Sequence, residues 1–252
     1  MIIDSPKTSD RPKLTRLWQE AFGDTESYIN IFFDTAFSPD RCLAVTVDGE
    51  LAGALYWLDC ELDGRNMAYI YAVATAKSYR GRGICAALMN DTHRHLEALG
   101  YSGALLVPSS DALFKMYEKL GYKTACRIGE FIVTANEAKA NIRSVDKHEY
   151  AILRRKYLPE GGVIQENESL DLLEATASLY AGTDFLLSAR IEKEKLIGIE
   201  LLGSTSSASG IVAALGCKNG KFRTPHGNIP FAMYRPLDIA FPSPKYFGFA
   251  FD

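Results

Sequence analysis

A chain of 252 residues with 28 Lys and Arg against 31 Asp and Glu carries a formal net charge of −3, which argues against a general nucleic-acid binder with a basic face. Its length suits two domains of ordinary size, and a 47% hydrophobic share beside 23% charged residues supports a real core under an ordinary soluble surface. The five cysteines (Cys42, Cys60, Cys85, Cys126, Cys217) are scattered with no CxxC pair, which excludes a disulfide framework and a zinc site.

The start, Met1 to Lys7, lacks the basic-then-apolar pattern of a signal peptide, and no apolar run approaches ~20 residues. The expected location is cytoplasmic, with no membrane contact. Leu14, Leu17, Trp18, Ala21 and Phe22 recur at helical spacing, so residues 9–22 form an amphipathic helix. Asp24 or Thr25 caps a second helix that buries Ile29, Phe32 and Phe33. Strands follow at 42–47 and 51–58, joined by the Asp48-Gly49 turn, and a third at 67–73. A helix from Gly83 to Leu99 ends at Gly100, and a short strand at 103–107 leads through Pro108-Ser109-Ser110-Asp111 into another helix.

Beyond Phe131 the pattern is less sharp. Residues 136–160 hold two short helical patterns, broken by Pro159-Glu160-Gly161-Gly162. A helix at 170–180 buries Leu172, Leu173, Thr176, Leu179 and Tyr180; strands at 185–191 and 196–202 make a hairpin. Ser204 caps a helix running to Leu215, and two more strands follow at 229–235 and 246–251. This coarse order repeats that of the first half. The chain therefore reads as 1–130 and 131–252, the second part a degenerate copy of the first or an unrelated α/β domain.

The stretch with the most chemistry is Tyr79-Arg80-Gly81-Arg82-Gly83-Ile84-Cys85-Ala86, set between a strand and a helix. Glycines let backbone come close to an anion, the first N–H groups of the helix point at it, and Arg80 and Arg82 add positive charge. A Walker loop is excluded because Ile84 and Cys85 stand where Lys and Ser/Thr are needed, and a dinucleotide fingerprint because no glycine lies between Gly83 and Gly100. What remains is Arg-x-x-Gly-x-(small), read as Arg80, Gly83 and Cys85. With the downstream run Tyr117-Glu118-Lys119-Leu120-Gly121-Tyr122, this resembles the GNAT acyltransferases, whose motifs run Gln/Arg-x-x-Gly-x-Gly/Ala and Tyr-Glu-Lys-Leu-Gly-Phe. Cys85 departs from the family's Gly or Ala.

The resemblance covers residues 1 to 130. It implies an α/β (α+β) fold, with a mixed, mostly antiparallel sheet and helices on both faces, joined to a second, smaller α/β domain. It implies an N-acetyltransferase that moves an acetyl or short acyl group from acetyl-CoA, as co-substrate and without metal, to a small-molecule or peptide amine. The alternative is an acyl-CoA sensor or partner-binding module without turnover. No nucleic-acid partner is expected, and a homo-oligomer is compatible with the sequence. In this frame Val73, Ala74 and Thr75 hold the pantetheine arm, and Arg80, Gly81, Arg82, Gly83, Ile84, Cys85 and Ala86 hold the pyrophosphate. Ser110, or its neighbour Ser109, bonds the pantetheine amide or caps a helix.

Tyr117 matches the family tyrosine that gives a proton to the leaving thiolate, a role suited to a phenol; the alternative is a packing residue. Candidates for the base are Asp59, Glu61, Tyr69, Tyr71 and a water. The aromatic ending Tyr246 to Asp252 is similar to that of two-copy acyltransferases of the enhanced-intracellular-survival type, which place their C-terminal carboxylate in the active site. This adds Asp252 to the catalytic candidates, with a terminal strand docked in its own domain as the alternative. His93 and His95 point to different helix faces and make no metal pair.

Overall fold

A computed structural model describes residues 1–238 and 241–251 of the chain. They divide into two units, residues 1–123 with 233–242 and residues 124–232 with 243–252. The elements in chain order are β1 (Ile2–Asp4), α1 (Arg11–Phe22), α2 (Glu26–Thr35), β2 (Cys42–Val47), β3 (Glu50–Leu62), β4 (Arg65–Thr75), α3 (Ile84–Ala98), β5 (Gly103–Leu106), α4 (Asp111–Glu118) and β6 (Lys123–Thr124). They continue with β7 (Arg127–Thr134), β8 (Ile142–Ser144), α5 (Lys147–Tyr157), α6 (Glu168–Thr176), β9 (Ser178–Gly182), β10 (Phe185–Glu192), β11 (Lys195–Gly203), α7 (Ala208–Ala214), β12 (Asn219–Pro230) and β13 (Met233–Pro236). Among the described residues no helix is long and apolar enough to cross a membrane.

In the first unit the strands lie in the order β1-β2-β3-β4-β5-β13-β6. β1 to β4 are antiparallel neighbours, β4 and β5 run parallel, and β13 pairs β5 antiparallel. Side chains alternate across the sheet with the period of a strand, so β3 serves two cores at once. Leu55 and Trp57 join Ile84, Leu88, Met89 and Leu96 of α3. Tyr56, between them, meets the rings of Trp18 and Phe32 on α1 and α2 at 5.3 and 5.1 Å between centroids. Thr25 caps α2 as expected, its Oγ1 accepting from the Tyr28 N–H at 3.2 Å.

The second unit repeats this pairing pattern. Its sheet runs β7-β12-β11-β10-β9-β8, with β8 to β11 antiparallel, β11 and β12 parallel, and β12 antiparallel to β7. α7 connects the parallel pair here as α3 does in the first unit, and Ile211 and Val212 bury it against Phe185, Leu187, Leu201 and Phe222. Even the irregularity recurs. β4 carries an extra residue at Ala72–Val73 opposite β3, and β11 carries one at Ile199 opposite β10.

The two units exchange a strand. β7 follows β6 in sequence but lies beside β12, whereas β13 follows β12 in sequence but lies beside β5. The chain thus divides at 123/124 and returns to the first unit at 233, where a single boundary at 130/131 was expected. That boundary would cut β7 in the middle. The exchange is close-packed: a Cβ on Gly103 of β5 would fall 2.3 Å from the Tyr234 ring of β13, so only glycine fits there.

Other elements depart from expectation for tertiary reasons. The helix read through Tyr180 stops at Thr176, because 178–182 is needed as β9 between β8 and β10. Of the two helical patterns read within 136–160, the first gives way to β8 and the second is α5. The strand read at 229–235 is the end of one strand and most of another, in different sheets. Residues 246–250 are buried as expected and Phe251 is half-buried, but 246–251 form no strand. They make one bridge, Tyr246 to Gly162, and Gln165 serves the backbone at Gly248 and Phe249. Its Oε1 accepts from the N–H groups of Gly248 and Phe249 at 3.3 Å each, and its Nε2 donates to the Phe249 carbonyl at 2.7 Å.

Candidate acyl-transfer site

β4 pairs with β5 only over Met67–Tyr69, opposite Gly103–Leu105, and then runs on to Thr75. The extra residue at Ala72, which has φ +46°, bends β4 where the two strands part. Val73, Ala74 and Thr75 therefore lie on a strand end that no longer pairs with β5. Arg80 closes the following turn by donating Nε to the Thr75 carbonyl at 3.1 Å. Glu20 of α1 supports it from outside, accepting from the Lys77 N–H at 2.5 Å.

The turn then enters α3 through two left-handed glycines, Gly81 at φ +74° and Gly83 at φ +77°. A side chain on either would meet no atom within 4 Å, so these glycines border open space and are needed there for their backbone conformation. No side chain caps α3. Its first N–H groups thus face a cradle bordered by glycine, which is what a pyrophosphate requires. Arg80 and Arg82 are exposed beside it, with the Arg82 guanidinium 5.5 Å over the Tyr79 ring. Ile84 turns into the core, while Cys85 and Ala86 are half-buried at the mouth of the helix.

Tyr117 stands on the last turn of α4, only 6% exposed, in the same core cluster as α3 and Val73. Burial raises its pKa, so the phenol keeps its proton across the neutral range. Tyr117 and Cys85, one from each motif, thus pack in one cluster, Cys85 at its edge. Burial likewise raises the Cys85 pKa and holds it as a thiol. Ser110 occupies the N-cap position of α4, exposed, but its hydroxyl makes no capping bond; its carbonyl accepts from the N–H groups of Leu113 and Phe114.

The base candidates fare differently. Asp59 accepts from the Tyr101 hydroxyl at 2.5 Å and lies 3.6 Å from Arg41. The Tyr71 hydroxyl shares a hydrogen bond with that of Tyr28 at 2.8 Å, and burial raises its pKa well above that of a free phenol. Tyr69 is buried with its ring against that of Tyr71, and Glu61 is half-buried on β3. Asp252 lies outside the described residues. His93 turns inward to Tyr122 and His95 packs on Trp57, 5.8 Å between ring centroids.

The comparisons with known proteins bear on this geometry. A model of the acetyltransferase (GNAT) domain matches residues 3–125. Acetyltransferase SG1711 of Sodalis glossinidius (strain morsitans) is 33% identical over 116 residues, covering 45% of this chain and 75% of that protein. The chain belongs to the GNAT acetyltransferase family. The chemistry of that family is transfer of an acyl group from CoA to an amine. The family fold extends through both units. A probable N-acyltransferase from Enterococcus faecalis V583 superposes with a TM-score of 0.71 at 16% identity, over 94% of this chain and 73% of that one. Eis1 from Mycobacterium abscessus does so with a TM-score of 0.69 at 14% identity, over 95% and 74%.

Proposed function

We propose that this GNAT-family protein is an acetyl-CoA-dependent N-acetyltransferase that transfers the acyl group directly to an amine, with Tyr117 as proton donor. The observation that carries this reading is a buried Tyr117 in the core cluster that Cys85 borders, beside the uncapped, glycine-bordered start of α3. Gly81 to Ala86 hold the pyrophosphate through backbone N–H groups, with Arg80 and Arg82 supplying charge. Val73, Ala74 and Thr75 offer backbone to the pantetheine amides at the bent end of β4, and Ser110 adds a hydroxyl not committed to capping.

Acetyl-CoA supplies an acyl group activated as a thioester. As the new C–N bond forms and the C–S bond breaks, Tyr117 gives its phenol proton to the sulfur, so that CoA departs as the thiol. The proton lost by the amine is taken up separately. A binding module without turnover has no use for such a donor.

The test is CoA-thiol release from acetyl-CoA across a panel of primary amines, with water as the control acceptor. Turnover with at least one amine above the water rate is expected. Replacement of Tyr117 by Phe lowers kcat by on the order of 10²-fold or more while leaving acetyl-CoA affinity nearly intact. No amine-dependent release across a broad panel would count against the enzyme, and an unchanged kcat in the Phe variant would make Tyr117 a packing residue.

A further inference from the structure

α4 has only eight residues, too few to fix its own orientation, yet Tyr117 sits on its last turn. The orientation comes from the turn that follows. The Tyr117 carbonyl accepts from the N–H groups of Leu120 at 2.9 Å and Tyr122 at 3.1 Å, which folds residues 117–122 back on themselves. Two anchors hold this turn. On one side Tyr122 is 1% exposed, its ring 5.9 Å from that of Tyr117 at 67° and its hydroxyl 2.8 Å from Nε2 of His93 on α3. On the other, Arg235 of β13 donates Nη1 to the Leu120 carbonyl at 2.5 Å, across 115 residues of sequence. Gly121, left-handed at φ +86°, is what admits this arginine; a Cβ there would sit 3.2 Å from the same Nη1.

We propose that Arg235, Tyr122 and His93 are positioning residues that aim the Tyr117 phenol, so that the exchanged strand β13 completes the catalytic apparatus of the first unit. The proposal rests on the reading of Tyr117 as proton donor. Its physical basis is that proton transfer demands sub-ångström placement, and a small misplacement of a donor costs one to two orders of magnitude in rate. The anchor is constant across the working pH range: burial and the nearby Arg235 charge lower the His93 pKa to about 3, so the Tyr122 contact is to a neutral imidazole.

The experiment is a set of double-mutant cycles on the full chain. Arg235→Met and Tyr122→Phe are made alone and over Tyr117→Phe, with thiol release followed using the fastest amine of the panel, or water if none accelerates it. Each single variant is expected to lower kcat on the order of tenfold at unchanged KM for acetyl-CoA. Arg235→Lys, which keeps a donor, recovers most of that loss. Over Tyr117→Phe neither variant slows the enzyme further. If a tenfold loss persists in that background, or falls on KM, the residues are merely structural and the proposal is overturned while the donor reading stands. If Tyr117→Phe alone leaves kcat unchanged, the donor reading falls and the proposal with it. Should Arg235→Met fail to fold, Tyr122→Phe, which removes one oxygen, decides the matter.

Discussion

Arg154 and Glu200 face each other through two hydrogen bonds, Nε to Oε2 at 2.7 Å and Nη2 to Oε1 at 2.9 Å, with neither side chain more than 3% exposed. The Tyr150 and Tyr246 hydroxyls donate to the same carboxylate at 3.2 and 3.0 Å, and Phe249 lies under the guanidinium at 4.5 Å. The pair therefore ties residues 246–249 into the second unit. Glu200→Gln leaves a buried cation without its counter-charge and should cost ~3–5 kcal/mol in urea unfolding. The apolar double replacement Arg154→Met with Glu200→Leu should recover much of that. A loss below ~1 kcal/mol in the single variant would mean that the pair does not hold the segment.

His93 predicts a pH dependence of stability. Its pKa falls from about 6.5 in the unfolded chain to about 3 in the fold, through burial and then the Arg235 charge. Between those values the unfolded chain binds the extra proton, so this stabilising contribution is whole above pH 6.5 and is lost as pH falls toward 3. Roughly 2 kcal/mol should be gone by pH 5. His93→Gln should flatten that slope in denaturation curves taken from pH 7 to 5. An unaltered slope would assign the acid sensitivity to other groups.

Gly83→Asp separates charge from strain at the anion cradle. Since a Cβ there meets nothing within 4 Å, the free protein should keep its fold, paying only ~1–2 kcal/mol for a left-handed residue. In the proposed binding mode, however, the carboxylate would face the incoming pyrophosphate. Acetyl-CoA affinity measured by calorimetry should fall at least ~10-fold, and more than for Gly83→Ala, which carries the strain alone. Equal affinity in the Asp and Ala variants would move the pyrophosphate elsewhere.

Residues 1–130 expressed alone should not give a folded protein. That segment lacks β13, so the edge of β5 is left unpaired and the core loses Met233. Aggregation, or a collapsed state without cooperative unfolding, is the expected result. A soluble fragment that unfolds cooperatively and binds acetyl-CoA would show β13 to be dispensable.

What could be read from the residues was what is locally encoded. The turn from Tyr79 to Ala86, the helix it opens and the short helix bearing Tyr117 each carry glycines, charges and apolar spacing that act within a dozen residues. β12 stayed hidden because Pro225, His226 and Gly227 interrupt its alternation, although Gly220, Phe222 and Thr224 turn inward as a strand requires. β13 could not be placed because its partner is more than a hundred residues away, and nothing within Met233–Pro236 says which sheet it joins. The aromatic alternation of Tyr246 to Phe251 correctly signalled burial. It could not signal that the Gln165 amide would satisfy backbone groups in place of a neighbouring strand. Arg235 went unread for the same reason: its carbonyl partner is visible only in three dimensions.

The exchange of β7 and β13 also sets an order of events during synthesis. When β6 has left the ribosome, the next strand to appear, β7, is destined for the other sheet, and the one that lies between β5 and β6 in the first does not exist until residue 233 has been made. The first unit, though its synthesis begins first, is not finished until residues 233–242 are made, just before 243–252 complete the second. Until then it must persist with an open edge, exposed to mispairing with other nascent chains. A message cut short before residue 233 should therefore yield a first unit that lacks one of its strands.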